Sequence, residues 1–204
     1  MVCSLRNPPF LTTMKISVYC ASSSKLRPVF YEKAAELGRL MAERGHTLLN
    51  GAGTMGLMGA SADACLNAGG KAIGVIPQFM VDEGWAHQGM TDLVITQTMH
   101  ERKAKLAEMS DACIVLPGGL GTYDEFFDIV TLKQLGLYLK PIIILNTDGF
   151  YDRLLEHLAY AMDEHMLRTE HAEAWRVATT PAEALDFCEQ TPLFDADIRK
   201  LAKV

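Results

Sequence analysis

The chain has 204 residues, of which 49% are hydrophobic and 22% charged, and its formal net charge is −6. This length indicates one domain, and the near-average composition excludes long disorder, a collagen-like repeat and a coiled coil. The negative charge argues against a nucleic-acid backbone as the main partner, because proteins with that task usually carry a basic stripe.

Hydropathy and cysteine spacing exclude further classes of protein. No segment approaches the run of about 18 apolar residues that a membrane-spanning helix needs, and residues 1–13 lack the apolar stretch of a signal peptide. The five cysteines are widely spaced and form no CxxC or mixed His/Cys cluster. We therefore expect no membrane partner, no disulfide framework and no metal site, and we predict a cytoplasmic protein. Cys20, Cys65 and Cys113 are expected to be small buried core residues.

Short apolar runs rich in Val and Ile alternate with longer amphipathic stretches. In chain order, the predicted strands are Lys15–Ala21, His46–Asn50, Ala72–Ile76, Leu93–Thr96, Ala112–Leu116, Pro141–Leu145 and, as an additional strand, Trp175–Thr179. Because these runs lack apolar–polar alternation, both faces of the sheet should be covered, as they are in parallel sheets with crossover helices. The sequence thus predicts a doubly wound, mostly parallel, Rossmann-like α/β fold with helices on both faces.

Two helices have clear boundaries in the sequence. An apolar stripe predicts a helix over Val29–Arg44 that ends at Gly45. Thr180 and Glu183 form a capping box with proline at the first helical position, which opens a last helix ending near Glu189. We assign residues 15–190 to a single domain, with an N-terminal tail at 1–14 and a C-terminal tail at 191–204.

Three predicted strands end in small, polar or glycine-rich segments: Cys20–Ser24, Gly51–Gly59 and Pro117–Glu125. Ligands of such folds bind at the carboxyl ends of the strands. Glycines there let backbone N–H groups approach an anion, and the following helix adds its positive N-terminal end, so we predict phosphate binding. The third segment lacks the GK[ST] ending of a Walker loop, and the first strand ends in serines instead of a dinucleotide fingerprint. The ligand is therefore expected to be smaller than NAD.

Arg102 is the unusual residue of the helix that precedes the third segment. It shares a helical stripe with Leu106 and Met109, which is compatible with a functional cation or with a stem that extends over the edge of the core. Glu101 lies on a different stripe with Lys105, so we expect a solvated charge in an i, i+4 pair.

Glu125 also has two interpretations. Thr122 and Glu125 match the S/T-x-x-E capping box, so Glu125 could cap the next helix, and Asp124 could be a first-turn acid that favours the helix dipole. Alternatively, a carboxylate one turn beyond a phosphate loop would lie near a bound sugar phosphate.

Four segments together closely resemble one family: Ser22–Ser24, Gly53–Gly59, Met99–Lys103 and Pro117–Glu125. Their PGGxGTxxE signature and upstream Arg-Lys pair are similar to those of the Lonely Guy family, the cytokinin riboside 5′-monophosphate phosphoribohydrolases long labelled lysine decarboxylase-like. The resemblance runs from about Lys15 to about Leu185. It implies a Rossmann-like homodimer without a cofactor that hydrolyses the N-glycosidic bond of a nucleoside 5′-monophosphate, releasing the base and ribose 5-phosphate.

The resemblance also implies roles for individual residues. Arg102 and Glu125 fall on the catalytic Arg and Glu of the family, and Lys103 falls beside the substrate. The remaining binding positions are Gly118, Gly119, Gly121 and Thr122 of the phosphate loop, Gly53 and Ser23 of the other two loops, and Glu83 and Thr131. Ala21, Ala52 and Asp124 stand where the family usually has Gly, Gly and Glu.

Two other functions compete with this one. A pyridoxal-phosphate decarboxylase, as in the older label, would need a Schiff-base lysine, whereas Lys103 stands beside Arg102 in a nucleotide motif. A non-catalytic phosphate-ligand carrier is the stronger alternative, because molybdenum-cofactor carrier proteins resemble this fold and its glycine-rich loop. A carrier needs the phosphate loop but not the carboxylate, so Arg102 and Glu125 favour the enzyme.

Overall fold

The protein is described here by a computed structural model that covers residues 13–195. Its core is a seven-stranded sheet in which every neighbouring pair is parallel, in the order β4-β3-β2-β1-β5-β6-β7. The strands are β1 (Lys15–Tyr19), β2 (Thr47–Asn50), β3 (Lys71–Pro77), β4 (Asp92–Thr96), β5 (Ala112–Val115), β6 (Ile142–Leu145) and β7 (Arg176–Ala178). All seven predicted strands are present, and the predicted doubly wound parallel fold is confirmed.

Helices connect the strands and cover the sheet. They are α1 (Pro28–Glu43), α2 (Gly56–Asn67), α3 (Gln78–Asp82), α4 (Met99–Met109), α5 (Leu120–Gln134), α6 (Asp152–Asp163) and α7 (Pro181–Gln190), with 3-10 turns at Thr147–Gly149 and Thr169–Ala174. The predicted boundaries of α1 and α7 agree with these ranges. Thr180 caps α7 as predicted, since its hydroxyl accepts from the Glu183 N–H at 3.2 Å. Within residues 13–195, no helix has the length and hydropathy needed to cross a membrane.

The sheet separates two apolar layers, as the continuous apolar strands predicted. Ile16 and Val18 of β1 pack toward α1, α2 and α7, whereas Tyr19 packs with residues of α4, α5 and α6. Cys20, Cys65 and Cys113 are buried, as expected from the sequence. The predicted N-terminal tail lies outside the described residues except for 13–14, and the C-terminal tail is described only as far as 195.

The strand order places the glycine-rich segments at one edge. β1 lies between β2 and β5, so the chain runs outward from β1 in both directions. The point where the connections diverge is the usual ligand-binding crevice of an open parallel sheet. The loops after β1, β2 and β5 therefore meet at this edge, where the sequence predicted phosphate binding.

Candidate active site

Arg102 and Glu125 form a buried ion pair between α4 and α5. Arg102 Nη1 lies 2.8 Å from Glu125 Oε1, and the two side chains are 7% and 8% exposed. Arg102 Nε also donates a hydrogen bond of 3.1 Å to the carbonyl of Val75, the β3 residue beneath it. The interpretation of Arg102 as a stem lying over the core edge is therefore wrong, because its charged head is buried and contacts Glu125 and the Val75 carbonyl.

The guanidinium fits only because β2 is followed by Gly51. A Cβ atom at this position would lie 1.9 Å from Arg102 Nη2. The sequence pattern predicts anion binding for the glycine-rich segment that contains Gly51. It does not predict that Gly51 makes room for the Arg102 side chain. The signal was the glycine itself, but the partner depends on how α4 packs across β2 and β3.

Glu125 does not cap α5, so the capping interpretation is wrong. The helix begins at Leu120 after Gly119, which puts Thr122 at the third helical position and Glu125 one turn further inside. Glu125 turns toward Arg102 instead of toward the helix terminus. Burial raises the pKa of Glu125, while the positive charge and hydrogen bond of Arg102 act in the opposite direction.

The predicted phosphate loop contains two glycines that face open space and one that packs against a side chain. A Cβ at Gly118 would lie 2.0 Å from Thr122 Oγ1, so Gly118 is needed for the buried Thr122 to pack against the loop. Cβ atoms at Gly119 and Gly121 would meet nothing within 4 Å. Both are exposed at the N-terminus of α5, where the first N–H groups of a helix lack intrahelical partners. This turn can therefore present backbone donors to an anion.

Ser23 lies across the crevice from this turn. It lines a cavity of about 260 Å³ together with Gly118 and Gly119. Its hydroxyl accepts a hydrogen bond of 3.2 Å from the Lys25 N–H. Ser23 and the two loop glycines are thus brought together, as the sequence predicted.

Lys103 lies beside the pair but is held by carboxylates. Its Nζ is 2.9 Å from Asp124 and 3.3 Å from Asp128, both on α5. Burial alone would lower the Lys103 pKa, but the two carboxylates outweigh it and raise the pKa above its ordinary value. The interpretation of Asp124 as a first-turn acid is wrong, because α5 begins at Leu120 and Asp124 lies in its second turn, where it binds Lys103. The expected pair of Glu101 with Lys105 is wrong, because Lys105 binds Glu108 and Glu101 accepts from the Gln97 N–H.

The remaining predicted residues are more dispersed. Glu83 is exposed at the end of α3, near Ala86, which pairs with Gly53 through an isolated β-bridge. The Gly53 N–H donates to Met58 Sδ at 3.0 Å. Thr131 is exposed on α5, about 9 Å along the helix axis from Glu125 at ~1.5 Å per residue, and its hydroxyl donates to the Phe127 carbonyl.

Ala52, where the resembling family usually has Gly, adopts a left-handed backbone. Its φ is 59°, a region that glycine enters more easily. The conformation is held by two hydrogen bonds, one from the Ala52 N–H to Asn50 Oδ1 and one from the His87 N–H to the Ala52 carbonyl, both 2.8 Å. The loop after β2 thus keeps the backbone path of a glycine-rich turn. In the described part of the chain, no group of three or more His, Cys, Asp or Glu side chains could hold a metal ion.

Comparison with known proteins identifies the family of this chain. A family model described as "Possible lysine decarboxylase" matches residues 58–188. A cytokinin riboside 5′-monophosphate phosphoribohydrolase of Rhodococcoides fascians is 39% identical over 75% of this chain and 78% of that protein. One from Arabidopsis thaliana is 37% identical over 74% of this chain and 70% of that protein.

Solved structures give the same fold. The molybdenum cofactor carrier protein of Chlamydomonas reinhardtii matches with a TM-score of 0.68, covering 88% of this chain and 98% of that chain. At 22% identity, this likeness concerns the fold alone. The family model and the curated relatives cover most of the chain, so it belongs to the "Possible lysine decarboxylase" family, whose relatives cited here are named cytokinin riboside 5′-monophosphate phosphoribohydrolases.

Proposed function

We propose that this protein hydrolyses the N-glycosidic bond of a purine or cytokinin riboside 5′-monophosphate, releasing the free base and ribose 5-phosphate. The observation that carries the proposal is the buried Arg102–Glu125 pair directly behind the glycine turn that opens α5. The turn supplies donors for a phosphate, and the pair supplies charge close to where the sugar would lie. The names of the curated relatives support the same reaction.

The chemistry follows from these groups. Cleavage of a ribosyl C–N bond passes through an oxocarbenium-like sugar, as in glycoside hydrolysis. The Glu125 carboxylate stabilises that cation or removes a proton from the attacking water, whose oxygen bonds to C1′ while the base leaves with a proton. Arg102 fixes the Glu125 carboxylate and orients the substrate, and the phosphate turn holds the far end of the ribose. Lys103 is included in the binding site because of its motif, and Glu83 because of the family resemblance outside the motifs.

The older family description implies a lysine that binds pyridoxal phosphate, and the lysines near the site do not fit it. Lys103 is held as a cation by two carboxylates that raise its pKa, which disfavours the neutral amine a Schiff base requires. Lys133 is buried elsewhere on α5 and donates to the Lys140 carbonyl at 2.8 Å. We derive no decarboxylation step from this arrangement.

We also propose that two copies pair through the exposed face of α5. Tyr123, Phe127 and Thr131 follow one another at helical spacing on this face and line a shallow cavity of about 370 Å³. Phe127 is 40% exposed, and Leu135 near the end of the helix is 45% exposed. Clustered exposed apolar side chains mark interaction surfaces. Light scattering tests this: Phe127→Asp should give a monomer where the wild type gives a dimer.

The cytoplasmic location predicted from the sequence remains part of the proposal. Its support is the cysteine pattern, which is odd in number and widely spaced. Such a pattern is typical of proteins in a reducing compartment.

The deciding experiment measures base release by chromatography. The purified protein is incubated with AMP and with isopentenyladenosine 5′-monophosphate, each beside its dephosphorylated nucleoside. We expect base from the monophosphates only, since the nucleosides lack the group that the turn at Gly118–Thr122 would bind. The ratio of the two rates separates a cytokinin activator from a general AMP nucleosidase. No base from any substrate, with nucleotide binding retained, would instead favour the carrier function.

A further inference from the structure

A second ion pair lies against an aromatic side chain that lines the crevice, and it has no part in the reaction described above. Arg27, the residue before α1, places Nη2 2.6 Å from Asp148 Oδ2 in the turn after β6. Its guanidinium also lies over the ring of Phe30, 4.7 Å from the centroid. Phe30 in turn packs edge-on against Phe150, with ring centroids 5.8 Å apart. The guanidinium is thus held on one side by a carboxylate and beneath by an aromatic face.

The aromatic ring beneath this cation lines the cavity that contains the glycine turn. Phe30 and Phe150 line the same cavity of about 260 Å³ as Ser23, Gly118 and Gly119. Among the described residues that line it, none carries a charge. A phosphate at the Gly118–Gly119 turn would therefore meet an uncharged wall, with Arg27 at its rim on the face of Phe30.

The charges of the catalytic pair and of Lys103 are already balanced by carboxylates. Arg102 is matched by Glu125, and Lys103 by Asp124 and Asp128. A phosphate monoester brings close to two further negative charges at neutral pH, so its binding calls for another cation. The Arg27 and Asp148 side chains are 62% and 50% exposed, and such surface pairs are weakly held. A guanidinium has five N–H donors, so Arg27 can bind a phosphate without leaving Asp148.

We propose that Arg27 is a further substrate-binding residue, which contacts the 5′-phosphate opposite the glycine turn. The inference rests on the proposed function, because it assumes that a phosphate monoester occupies this crevice. Phe30 and Asp148 hold the guanidinium in place. The backbone of Asp148 adopts a left-handed conformation, with φ of 53°. The pair is thus a positioning device for a cation that the catalytic pair does not provide.

Two variants give opposite expectations. In Arg27→Ala, KM for the monophosphate should rise about tenfold with kcat unchanged, because the lost contact is the same in the ground state and the transition state. In Asp148→Asn, KM should stay equal or fall, because the amide oxygen can still accept from the guanidinium and keep it in place, while a negative charge near the phosphate is removed. Asparagine also tolerates the left-handed backbone, so this variant removes the charge without new strain. The Arg27→Ala effect should shrink in high salt, as expected for a solvent-exposed charge.

Lys25 provides the matched control. It is an exposed cation on the same loop, and its backbone N–H donates to Ser23. Lys25→Ala should change KM less than threefold. An equal rise in KM for Lys25→Ala and Arg27→Ala would mean a general effect of positive charge and would overturn the proposal. An equal rise for Asp148→Asn and Arg27→Ala would mean that the pair only ties the two loops together, which also overturns it.

A binding measurement separates this inference from the proposed function. Titration calorimetry with ribose 5-phosphate needs no turnover. If the wild type binds it but hydrolyses no nucleotide, and Arg27→Ala binds it about tenfold more weakly, the role of Arg27 stands while the proposed reaction fails. If the wild type does not bind it, or binds it no better than Arg27→Ala does, the role of Arg27 is refuted.

Discussion

Replacing Glu125 in two ways separates its chemical role from its structural one. Glu125→Gln keeps an oxygen that can accept from Arg102 Nη1 at the present 2.8 Å, but it loses the negative charge. We expect kcat to fall by about 10²–10⁴, the usual contribution of acid–base help, with KM nearly unchanged. The free energy of unfolding should fall by about 1–2 kcal/mol at most, because the hydrogen bond to the buried guanidinium remains.

Glu125→Leu is the structural counterpart. It leaves the buried Arg102 charge without a counter-charge, a loss of about 3–5 kcal/mol. For a domain of this size, where each kcal/mol shifts Tm by about 2–4 °C, Tm should fall by roughly 6–20 °C. Base release and calorimetric melting are measured on both variants, with Glu108→Gln on the exposed side of α4 as the control. The reasoning is refuted if Glu125→Gln keeps turnover within fivefold of wild type, or if it melts as low as Glu125→Leu.

Three further predictions concern the loop, the pH dependence and a buried lysine. Gly121→Ala should have a Tm equal to or above that of the wild type, because the added Cβ enters open space within a helix. It should nevertheless raise KM, because the Cβ occupies the side of the turn that faces the ligand. Gly118→Ala should instead lower Tm, because its Cβ would lie 2.0 Å from a side-chain oxygen. The activity loss on the acid side of the kcat/KM–pH profile should occur at a pH above the ordinary glutamate pKa of 4.5, because burial raises the pKa of Glu125. In Arg102→Gln it should occur at a still higher pH, because this variant removes the positive charge that lowers the Glu125 pKa. Burial lowers the pKa of Lys133 from 10.5 to about 8, so the unfolded chain binds more protons between these values. The free energy of unfolding of the wild type, measured by denaturant titration, should therefore increase by up to ~3 kcal/mol relative to that of Lys133→Met as the pH rises from about 7.5 to 10.5. A difference between the two proteins that does not change with pH would contradict this.

The fold could be predicted because its signals are local. Each strand is a short run of apolar residues without alternation, and such a run is sufficient to indicate a strand covered on both faces.

The helix caps show the limit of predicting from local sequence patterns. Thr98 and Thr180 both cap helices as the S/T-x-x-E pattern requires, accepting from the N–H groups of Glu101 and Glu183. Thr122 matches the same pattern and is not a cap, because α5 already starts at Leu120.

The site could be predicted only in part, since its partners come from distant segments. The helical stripe placed Arg102 toward the core, but the Val75 carbonyl and the space above Gly51 depend on how α4 packs across β2 and β3. The Asp128 contact of Lys103 likewise needs α4 and α5 to lie side by side. Neither arrangement follows from spacing along the chain. Resemblance to a family named Arg102 and Glu125 together as catalytic residues, but their contact is a finding of the structure.

The buried Arg102–Glu125 pair also favours the proposed hydrolysis over simple carriage of a phosphate ligand. Burial raises the pKa of Glu125 even though Arg102 opposes the shift, so the ionised carboxylate is held at a cost in stability. A buried ion pair often stabilises a fold no better than apolar residues of similar volume would. Phosphate binding as proposed here uses the α5 N-terminus, the glycine turn and Arg27, and none of these requires the pair. A buried carboxylate next to that turn has a use when a positive charge develops on the sugar, which is the event that hydrolysis requires and simple carriage does not.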